Sequence, residues 1–463
     1  MSARHRALWA LAVVLSLALL IAPALWNGFA LLQWDTGGYL ARWYEGYLVP
    51  SRAVVYGLIL FAGVPFAFWP VLILQSALTI WVLALILRAH GFANRPLLLL
   101  GIIVTLSAFT TLPWLTAILL TDIFCGLSVL ALYLLLLRSE ALGSYERLGL
   151  VALIAVAVAT HNATLGVLMA LTACALPVSL FDRARIARAD VVRGIGALAL
   201  GGVLVLGVDF AVAHRLAWTP GGAALSFGRM LQDGIVKKYL DEHCPDPRLR
   251  LCAVKDRIPQ DADTWFWGSD LFDQMGRFDG LGDEMQTIAF ESLIDYPALQ
   301  LKSAAIDTLR QLIDVRTGEG VLDDLWHTRT IIERYAPQLV PAMRAAREQK
   351  GEISFDAIND VQYPLAIAAL ALLPLVALLA MSGVASAAAG ELASTVMLAV
   401  LANAFVCGVL SNPHDRYGAR IVWLATVTVL VAALEAAAAY QRSSRPRAVI
   451  AGATRLGAPA DLS

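Results

Sequence analysis

Long apolar runs separated by short polar breaks dominate this sequence of 463 residues. A bilayer-spanning helix needs about 20 mostly apolar residues. Ten runs approach that length when the stretch 148–180 is counted as two helices that turn at Thr160-His161-Asn162. The pattern therefore predicts an all-α polytopic membrane protein with about ten transmembrane helices. The predicted runs are 8–26, 68–88, 97–113, 116–137, 148–180, 194–213, 362–382, 390–410 and 417–439.

Two polar regions interrupt the apolar runs. The first external loop, 27–67, contains an apolar piece at 53–62 that is too short to span and is expected to lie along the membrane surface. The second region, 214–361, has the composition of an external, mainly helical insertion domain, with helices predicted over 296–313 and 322–346. The predicted organisation is an N-terminal membrane domain with about seven spans, the external domain, a C-terminal membrane segment with about three spans and a cytoplasmic tail, over residues 1–213, 214–361, 362–440 and 441–463.

Composition supports membrane insertion. The chain is 59% hydrophobic and 15% charged, whereas soluble domains contain about 25% charged residues. The net charge of -1 gives no basic footprint for nucleic acid, so we expect no nucleic-acid partner. This balance is uneven along the chain, because residues 209–361 hold 17 of the 35 basic and 25 of the 36 acidic residues. An acidic external region is thus joined to a weakly basic membrane body.

The distribution of arginine predicts the orientation, because short cytoplasmic loops are enriched in basic residues. With the N-terminus inside, only Arg42, Arg52, Arg416 and Arg420 fall in short external loops. The following fourteen arginines then face the cytoplasm: Arg4, Arg6, Arg88, Arg95, Arg138, Arg147, Arg183, Arg185, Arg188, Arg193, Arg442, Arg445, Arg447 and Arg455.

The first apolar run could be a cleaved signal peptide. However, it reaches spanning length without a clear small-x-small site, which favours an uncleaved helix.

Acidic residues on the predicted outer side are the first candidates for chemistry, since charge at membrane depth is costly. Asp35 follows the first helix and lies before Gly37 and Gly38, among aromatic residues that include Tyr39 and could support a sugar or headgroup. The structural alternative for Asp35 is an Asx turn within an interfacial aromatic belt. Asp122 lies near the outer end of a later helix, where it could orient an acceptor or a metal ion. The alternative is an N-cap formed by Thr121 or Asp122.

A second polar cluster, Asn412 to Arg420, lies between the last two predicted spans. Arg416 and Arg420 are four residues apart and would share one helix face, where two guanidinium groups could bind a phosphate. Arg42 and Arg52 are weaker candidates for the same role. The alternative is interfacial anchoring, with Asp415 pairing an arginine. His161, His414, Asp415 and Tyr39 are candidates for acceptor binding or orientation, although a lone histidine such as His161 is more often a satisfied hydrogen-bonding group.

Two cysteines of the external region, Cys244 and Cys252, predict a disulfide in an oxidising compartment. A metal site built from His243 and these cysteines is the alternative, but the sequence offers no evident fourth ligand. In the same region, Trp265-Phe266-Trp267 could contact a sugar or the membrane, or form part of a core.

The early acid after the first helix, the second acid at a later outer helix end, the many spans and the external domain together resemble the GT-C class of membrane glycosyltransferases. The branch that this layout resembles includes protein mannosyltransferases and lipid A aminoarabinose transferases. A large loop before the final three spans, rather than a C-terminal domain, departs from that layout and leaves the acceptor open.

The resemblance implies transfer of a sugar from a polyprenyl-phosphate donor to a lipid, glycan or protein acceptor at the outer face, usually with inversion. It places Asp35 in the role of general base, and the location would be a bacterial inner membrane with the site facing the periplasm. Cations must stabilise the departing lipid phosphate, a role open to Arg416 and Arg420. The sequence does not identify the sugar, and it leaves open whether a divalent metal assists Asp35 and Asp122.

Two other classes of function are compatible with the sequence. A transporter or flippase for a polyprenyl-linked or anionic lipid would place polar groups along a path near mid-bilayer, whereas here they collect at one face. A non-catalytic membrane scaffold would use the external domain to bind partners, and it would tolerate Asp35→Asn.

Overall fold

The computed structural model describes residues 2–46, 52–214, 216, 218 and 222–443. Over this part of the chain the protein is helical and contains no β-strand, as the apolar pattern predicts. Arg445, Arg447, Arg455 and the predicted cytoplasmic tail from residue 444 onwards lie outside the described residues.

The N-terminal half forms eleven α-helices. Two of them abut at Thr160 and Asn162, which confirms the predicted turn at His161. They are α1 Ala3–Leu20, α2 Ala22–Asn27, α3 Trp34–Glu45, α4 Val54–Gly63, α5 Trp69–Ala89, α6 Pro96–Phe109, α7 Leu112–Ala117, α8 Asp122–Leu137, α9 Ser144–Thr160, α10 Asn162–Phe181 and α11 Arg188–Ala213. Two 3₁₀-helices, Val64–Phe66 and Ser139–Ala141, lie between them.

The predicted external region is built from shorter helices. The expected helix over 296–313 is present as α17, whereas the stretch 322–346 forms two helices and a 3₁₀ turn, because Pro337 and Pro341 interrupt it. The helices are α12 Gly222–Gln232, α13 Ile235–His243, α14 Ala262–Gly268, α15 Asp270–Gln274, α16 Arg277–Asp295, α17 Pro297–Ile313, α18 Trp326–Tyr335 and α19 Val340–Ala345. The 3₁₀-helices here are Arg250–Arg257, Pro337–Leu339 and Glu348–Lys350.

Three long helices complete the described chain: α20 Asp356–Met381, α21 Ala387–Leu410 and α22 Asp415–Ser443. Together with four earlier helices, α1, α5, α10 and α11, they make seven helices of the described residues that are long and apolar enough to cross a membrane. The protein is therefore an integral membrane protein.

Two of the runs predicted as spans form shorter helices than their apolar length indicated. The run 97–113 gives α6, with 14 residues, and the run 116–137 gives α8, with 16 residues. Both fall short of the roughly 17 residues at the lower limit for a span. The residues between these helices form the short α7 and a non-helical segment, 118–121, so the apolar run is longer than the helix it contains.

Two large hydrophobic cores organise the described residues, and a third, minor cluster consists of Val315, Ala366 and Val422. The larger core joins α1 to α11 with α20, α21 and α22, and it also includes Leu325 to Ala346 from the predicted external region. The smaller core lies within residues 224–289 and contains Trp265 and Phe272. The region between the membrane segments thus contributes both a separately packed unit and a set of helices that pack on the membrane body.

Candidate active site

The segment that carries Asp35 is held against the segment that precedes α8. Leu31 donates its backbone N–H to the carbonyl of Ala117 at 3.0 Å, and Leu119 donates to the carbonyl of Leu31 at 3.0 Å. The Thr36 hydroxyl donates to the Leu119 carbonyl at 3.1 Å. This small bridge between distant parts of the chain brings the N-termini of α3 and α8 together.

Gln33, rather than Asp35, caps α3. Its side-chain oxygen accepts a hydrogen bond from the Asp35 N–H at 2.8 Å, and the Thr36 hydroxyl accepts one from the Gln33 N–H at 3.1 Å. The interpretation of Asp35 as an Asx turn is therefore wrong, because the neighbouring residues supply the capping bonds and leave the Asp35 carboxylate for other contacts.

The Asp35 carboxylate binds two arginines from opposite parts of the chain. It forms an ion pair with Arg52 and a second with Arg416, whose Nη1 lies 2.8 Å from Oδ2. Only 6% of Asp35 is exposed. Burial alone would raise the pKa of Asp35, but the two guanidinium charges outweigh it and lower the pKa to about 2. Asp35 is therefore ionised at physiological pH.

Asp122 lies beside the same arginine but has no hydrogen bond of its own. Both carboxylate oxygens are buried without a hydrogen-bond partner, and Oδ2 is 3.4 Å from Nε of Arg416. The expected N-cap is wrong, since neither Thr121 nor Asp122 caps α8. A buried carboxylate without a hydrogen-bond partner is unusual and costly, which marks Asp122 as a candidate functional group.

Arg416 and Arg420 both lie in the first two turns of α22, as predicted, but they have different surroundings. Arg420 is fully buried, and its guanidinium donates to Asn403 Oδ1, Cys407 Sγ and His161 Nδ1 at 2.6 to 3.2 Å. The structure thus gives His161 a hydrogen-bond partner. Because protein groups already accept the donors of Arg420, Arg416 is the better placed of the two to meet a phosphate.

The polar cluster before α22 contains a further acid that the sequence reading missed. Glu319 accepts hydrogen bonds from the backbone N–H of Arg416 at 2.7 Å and contacts His414 Nδ1 at 2.7 Å. Burial lowers the pKa of His414, but its contacts with Asp263 and Glu319 outweigh this and raise it to about 11. His414 is therefore an imidazolium that joins the smaller core's unit, through Asp263, to the start of α22.

Glu319 could have been suspected from the two glycines that flank it. Gly318 and Gly320 both have left-handed backbone angles, with φ of 100° and 79°. A Cβ atom on Gly320 would lie 2.2 Å from Nε2 of Gln33. The two glycines therefore allow the loop that carries Glu319 to pack closely against the N-terminus of α3.

Three further candidate residues, Tyr39, Arg42 and Asp415, contact other parts of the protein. Tyr39 is buried on α3 and packs edge-on against Tyr56. Arg42 is fully buried farther along α3, where its Nε donates to the Gly38 carbonyl. Asp415 accepts a hydrogen bond from the backbone N–H of Arg316 at 2.8 Å, so this contact is with the backbone of an arginine and not with its guanidinium group.

Arg416 and Asp122 line a small cavity of about 40 Å³ next to these ion pairs. Glu319 contributes the third charged side chain of its wall. The rest of the lining is mostly apolar and comes from the first loop, α7, the loop after α17 and α22; it includes Leu31, Trp114, Ile118, Leu120, Val321 and Phe355. We call the cavity together with Asp35 and Arg52 the charged cleft. Charges in such an apolar setting interact strongly because little water screens them.

The predicted disulfide between Cys244 and Cys252 is present. It removes both thiolates as metal ligands, so the alternative metal site with His243 is wrong. Among the side chains that the structure describes, no group of three or more His, Cys, Asp or Glu is arranged to hold a metal ion. In the Trp265-Phe266-Trp267 run, the first two residues are core, whereas Trp267 is 49% exposed and lies 5.9 Å from the Arg52 guanidinium.

Comparison of the chain with known protein families, with curated proteins and with solved structures gives no match. The assignment of a function therefore depends on the geometry of the charged cleft.

Proposed function

We propose that this protein is a membrane glycosyltransferase. It would move a sugar from a polyprenyl-phosphate donor to a hydroxyl or amine of a lipid, glycan or protein acceptor. The observation that carries the proposal is the position of Arg416, whose guanidinium reaches both Asp35 and Asp122 within a largely apolar cleft. A cation that can meet the departing phosphate and a carboxylate that can take the acceptor's proton are the two groups that this reaction needs.

In the proposed reaction, the donor phosphate competes with Asp35 for Arg416 and Arg52. Loss of these cationic partners would raise the pKa of Asp35 towards its ordinary value and make the carboxylate a stronger base. The acceptor oxygen or nitrogen then attacks the anomeric carbon, the bond from that carbon to the phosphate oxygen breaks, and Asp35 receives the acceptor's proton. The polyprenyl phosphate leaves as an anion beside the arginines, and a single displacement inverts the anomeric centre.

Asp122 and Arg420 have supporting roles in this proposal. The Asp122 carboxylate, which pairs with Arg416 but has no hydrogen bond, would accept a hydrogen bond from the acceptor and orient it towards the anomeric carbon. Arg420, held by Asn403 and His161, would fix the first turns of α22 and contribute positive charge without direct contact with the phosphate. The phosphate contacts would thus come from Arg416 and Arg52.

The arrangement in the membrane is also part of the proposal. We propose a GT-C-like fold in which the shorter helices α6, α8 and α9 join the seven longer ones, for about ten membrane-embedded helices. The location would be a bacterial inner membrane, and the bias of arginine towards one side supports an orientation in which the charged cleft faces the periplasm.

The proposal is tested by incubating the purified protein in proteoliposomes with labelled polyprenyl-phosphate sugars and a membrane extract as the source of acceptors. We expect the sugar label to appear on a new product while free polyprenyl phosphate accumulates. Movement of intact donor between leaflets without cleavage of the sugar–phosphate bond would instead identify a flippase and contradict the proposal.

The role of Arg416 predicts a specific kinetic defect. Arg416→Gln removes the charge that would bind the donor phosphate, so the KM for the donor should rise by at least about tenfold, corresponding to roughly 1.4 kcal/mol or more of lost binding. Steady-state transfer rates at varied donor concentration measure this change. Arg316→Gln is the matched control, since Arg316 is exposed and stacks on Tyr363; an equal defect in both variants would contradict the role of Arg416.

A further inference from the structure

Helix α17 has an unusual distribution of polar and apolar residues. Its buried face consists of Gln300, Ser303, Asp307 and Gln311. Its outer face carries large apolar side chains with 40% to 73% exposure, namely Leu301, Ile306, Leu309 and Ile313. An amphipathic helix of a water-soluble unit has the opposite arrangement, with apolar residues inside and polar residues outside.

Specific contacts hold the polar face of α17 inside the protein. Gln300 Oε1 accepts a hydrogen bond from Arg229 at 2.8 Å. Gln311 forms two bonds with the backbone of His414, donating to its carbonyl at 2.8 Å and accepting from its N–H at 2.9 Å. These bonds engage the amide oxygen of Gln300 and both amide groups of Gln311, and they fix the rotation of α17 about its axis. The apolar residues are therefore directed outwards by the packing of the opposite face.

The surface beside α17 is that of a membrane-spanning helix. The α17 backbone packs closely on α21, since a Cβ atom on Gly408 would lie 2.8 Å from the Asp307 carbonyl oxygen. The exposed side chains of α21 in this part include Leu401 at 49%, Phe405 at 50% and Leu410 at 53%. An apolar outer surface on a spanning helix is the surface that contacts lipid. The outer face of α17 extends that lipid-contacting surface.

The end of the preceding helix, α16, adds to the same kind of surface. Phe290 is 56% exposed and Ile294 is 78% exposed. The basic residues Lys302 and Arg310 are also exposed on α17. Long basic side chains next to an apolar face are suited to reach lipid phosphates while their stems stay in the apolar layer.

We propose that α17 is an interfacial membrane helix whose outer face, Leu301, Ile306, Leu309 and Ile313, inserts into the hydrocarbon of the leaflet that borders the charged cleft. Lys302 and Arg310 contact the phosphates of that leaflet. The region between α11 and α20 is thereby seated in the membrane at α17, while the unit with the smaller core, residues 224–289, remains in water. Because Gln311 binds the backbone of His414, two residues before Arg416, the lipid contact fixes the level of the cleft relative to the headgroups.

Spin-label accessibility tests the proposal in the full-length protein. The free cysteines Cys125, Cys174 and Cys407 are replaced, and a nitroxide is attached at Leu309→Cys in proteoliposomes. Phe405→Cys on α21 is the lipid-facing reference, and Gln286→Cys, exposed on α16, is the aqueous reference. We expect the label at position 309 to show a ratio of oxygen to nickel-complex accessibility several-fold above that at 286 and close to that at 405. A ratio equal to that at 286 would overturn the proposal.

A second measurement keeps the native cysteines and distinguishes lipid from protein. A photoreactive amino acid is placed at position 309, with position 286 as its control, and the reconstituted protein is illuminated. We expect adducts with lipid at 309 and none at 286. Crosslinking of position 309 to a second copy of the chain, without lipid adducts, would show that this face is a subunit interface and would overturn the proposal.

Discussion

At the scale of single residues, the charged cleft concentrates opposite charges where burial makes each of them expensive. Arg416 lies between Asp35, with which it forms an ion pair, and Asp122, whose carboxylate makes no hydrogen bond. Removing one partner of such a group leaves an uncompensated charge, so the residues depend on one another. This dependence is compatible with a site in which an anionic ligand replaces one carboxylate as the partner of the arginine.

Another buried acid, Glu348, predicts a dependence of stability on pH. Its carboxylate accepts the Leu32 N–H at 3.0 Å, and burial raises its pKa from 4.5 to about 8. Folding therefore favours the protonated form of Glu348. The contribution of this residue to the free energy of unfolding is complete below about pH 4.5 and is lost as the pH rises towards 8. The loss should be on the order of a few kcal/mol, at about 1.4 kcal/mol per pKa unit.

Thermal unfolding of the purified protein at pH 5 and pH 8 measures this effect. We expect the wild type to melt at a lower temperature at pH 8, and we expect Glu348→Gln to lose most of that difference. Glu352→Gln is the control, because Glu352 is about half exposed and pairs with Arg347. A pH dependence that is identical in the wild type and Glu348→Gln would contradict the assignment.

At the scale of helices and loops, the site depends on close contacts between short segments. The loop with Glu319 packs on the N-terminus of α3 only because Gly320 has no side chain and adopts a left-handed conformation. The same N-terminus is tied to the segment before α8 through Leu31 and Leu119. The position of Asp35 thus depends on two loops from distant parts of the chain.

Substitution of Gly320 tests this dependence. Gly320→Ala places a methyl group against Gln33 and costs about 1 to 2 kcal/mol for the left-handed backbone alone. We expect a lower melting temperature and reduced sugar transfer, since Gln33 caps the helix that carries Asp35. Gly282→Ala is the control, because a Cβ atom there meets nothing within 4 Å. Wild-type stability and transfer in Gly320→Ala would contradict this role of the loop.

The sequence predicted the helices better than their ends. Apolar length indicated the long helices and the break at His161, and the position of Cys244 and Cys252 in the predicted external region indicated the disulfide. The shortening of α6 and α8 could not be predicted from hydropathy, because the residues between them are apolar but bind Leu31 in an extended conformation. The sequence also indicated candidate residues but not which of them are in contact, since Asp35 and Arg416 are separated by 381 positions.

At the scale of the whole molecule, the candidate site lies near one end of the long helices. The predicted outer arginines Arg52 and Arg416 meet in the charged cleft, while Arg138 and Arg185 bind Glu391 near the start of α21. The two ends of α21 therefore differ, with an ion-pair network at the start and the candidate site beyond the other end. This asymmetry supports a fixed orientation in the membrane.

Cysteine labelling of intact cells tests that orientation. In a background without the three free cysteines, Asp324→Cys and Arg183→Cys each place an exposed thiol on one side of the predicted topology. We expect a membrane-impermeant maleimide to label position 324 directly and position 183 only after permeabilisation, because basic loops stay inside. The reverse pattern would place the charged cleft in the cytoplasm.

The most direct measurement of the central claim is the rate of sugar transfer by Asp35→Asn. Asparagine keeps the size of the side chain but cannot take the acceptor's proton, so transfer from a labelled polyprenyl-phosphate sugar should fall by at least about 100-fold. Asp324→Asn, at an exposed acid, controls for the loss of negative charge, and an unchanged elution profile confirms folding. Wild-type transfer by a folded Asp35→Asn protein would contradict the account.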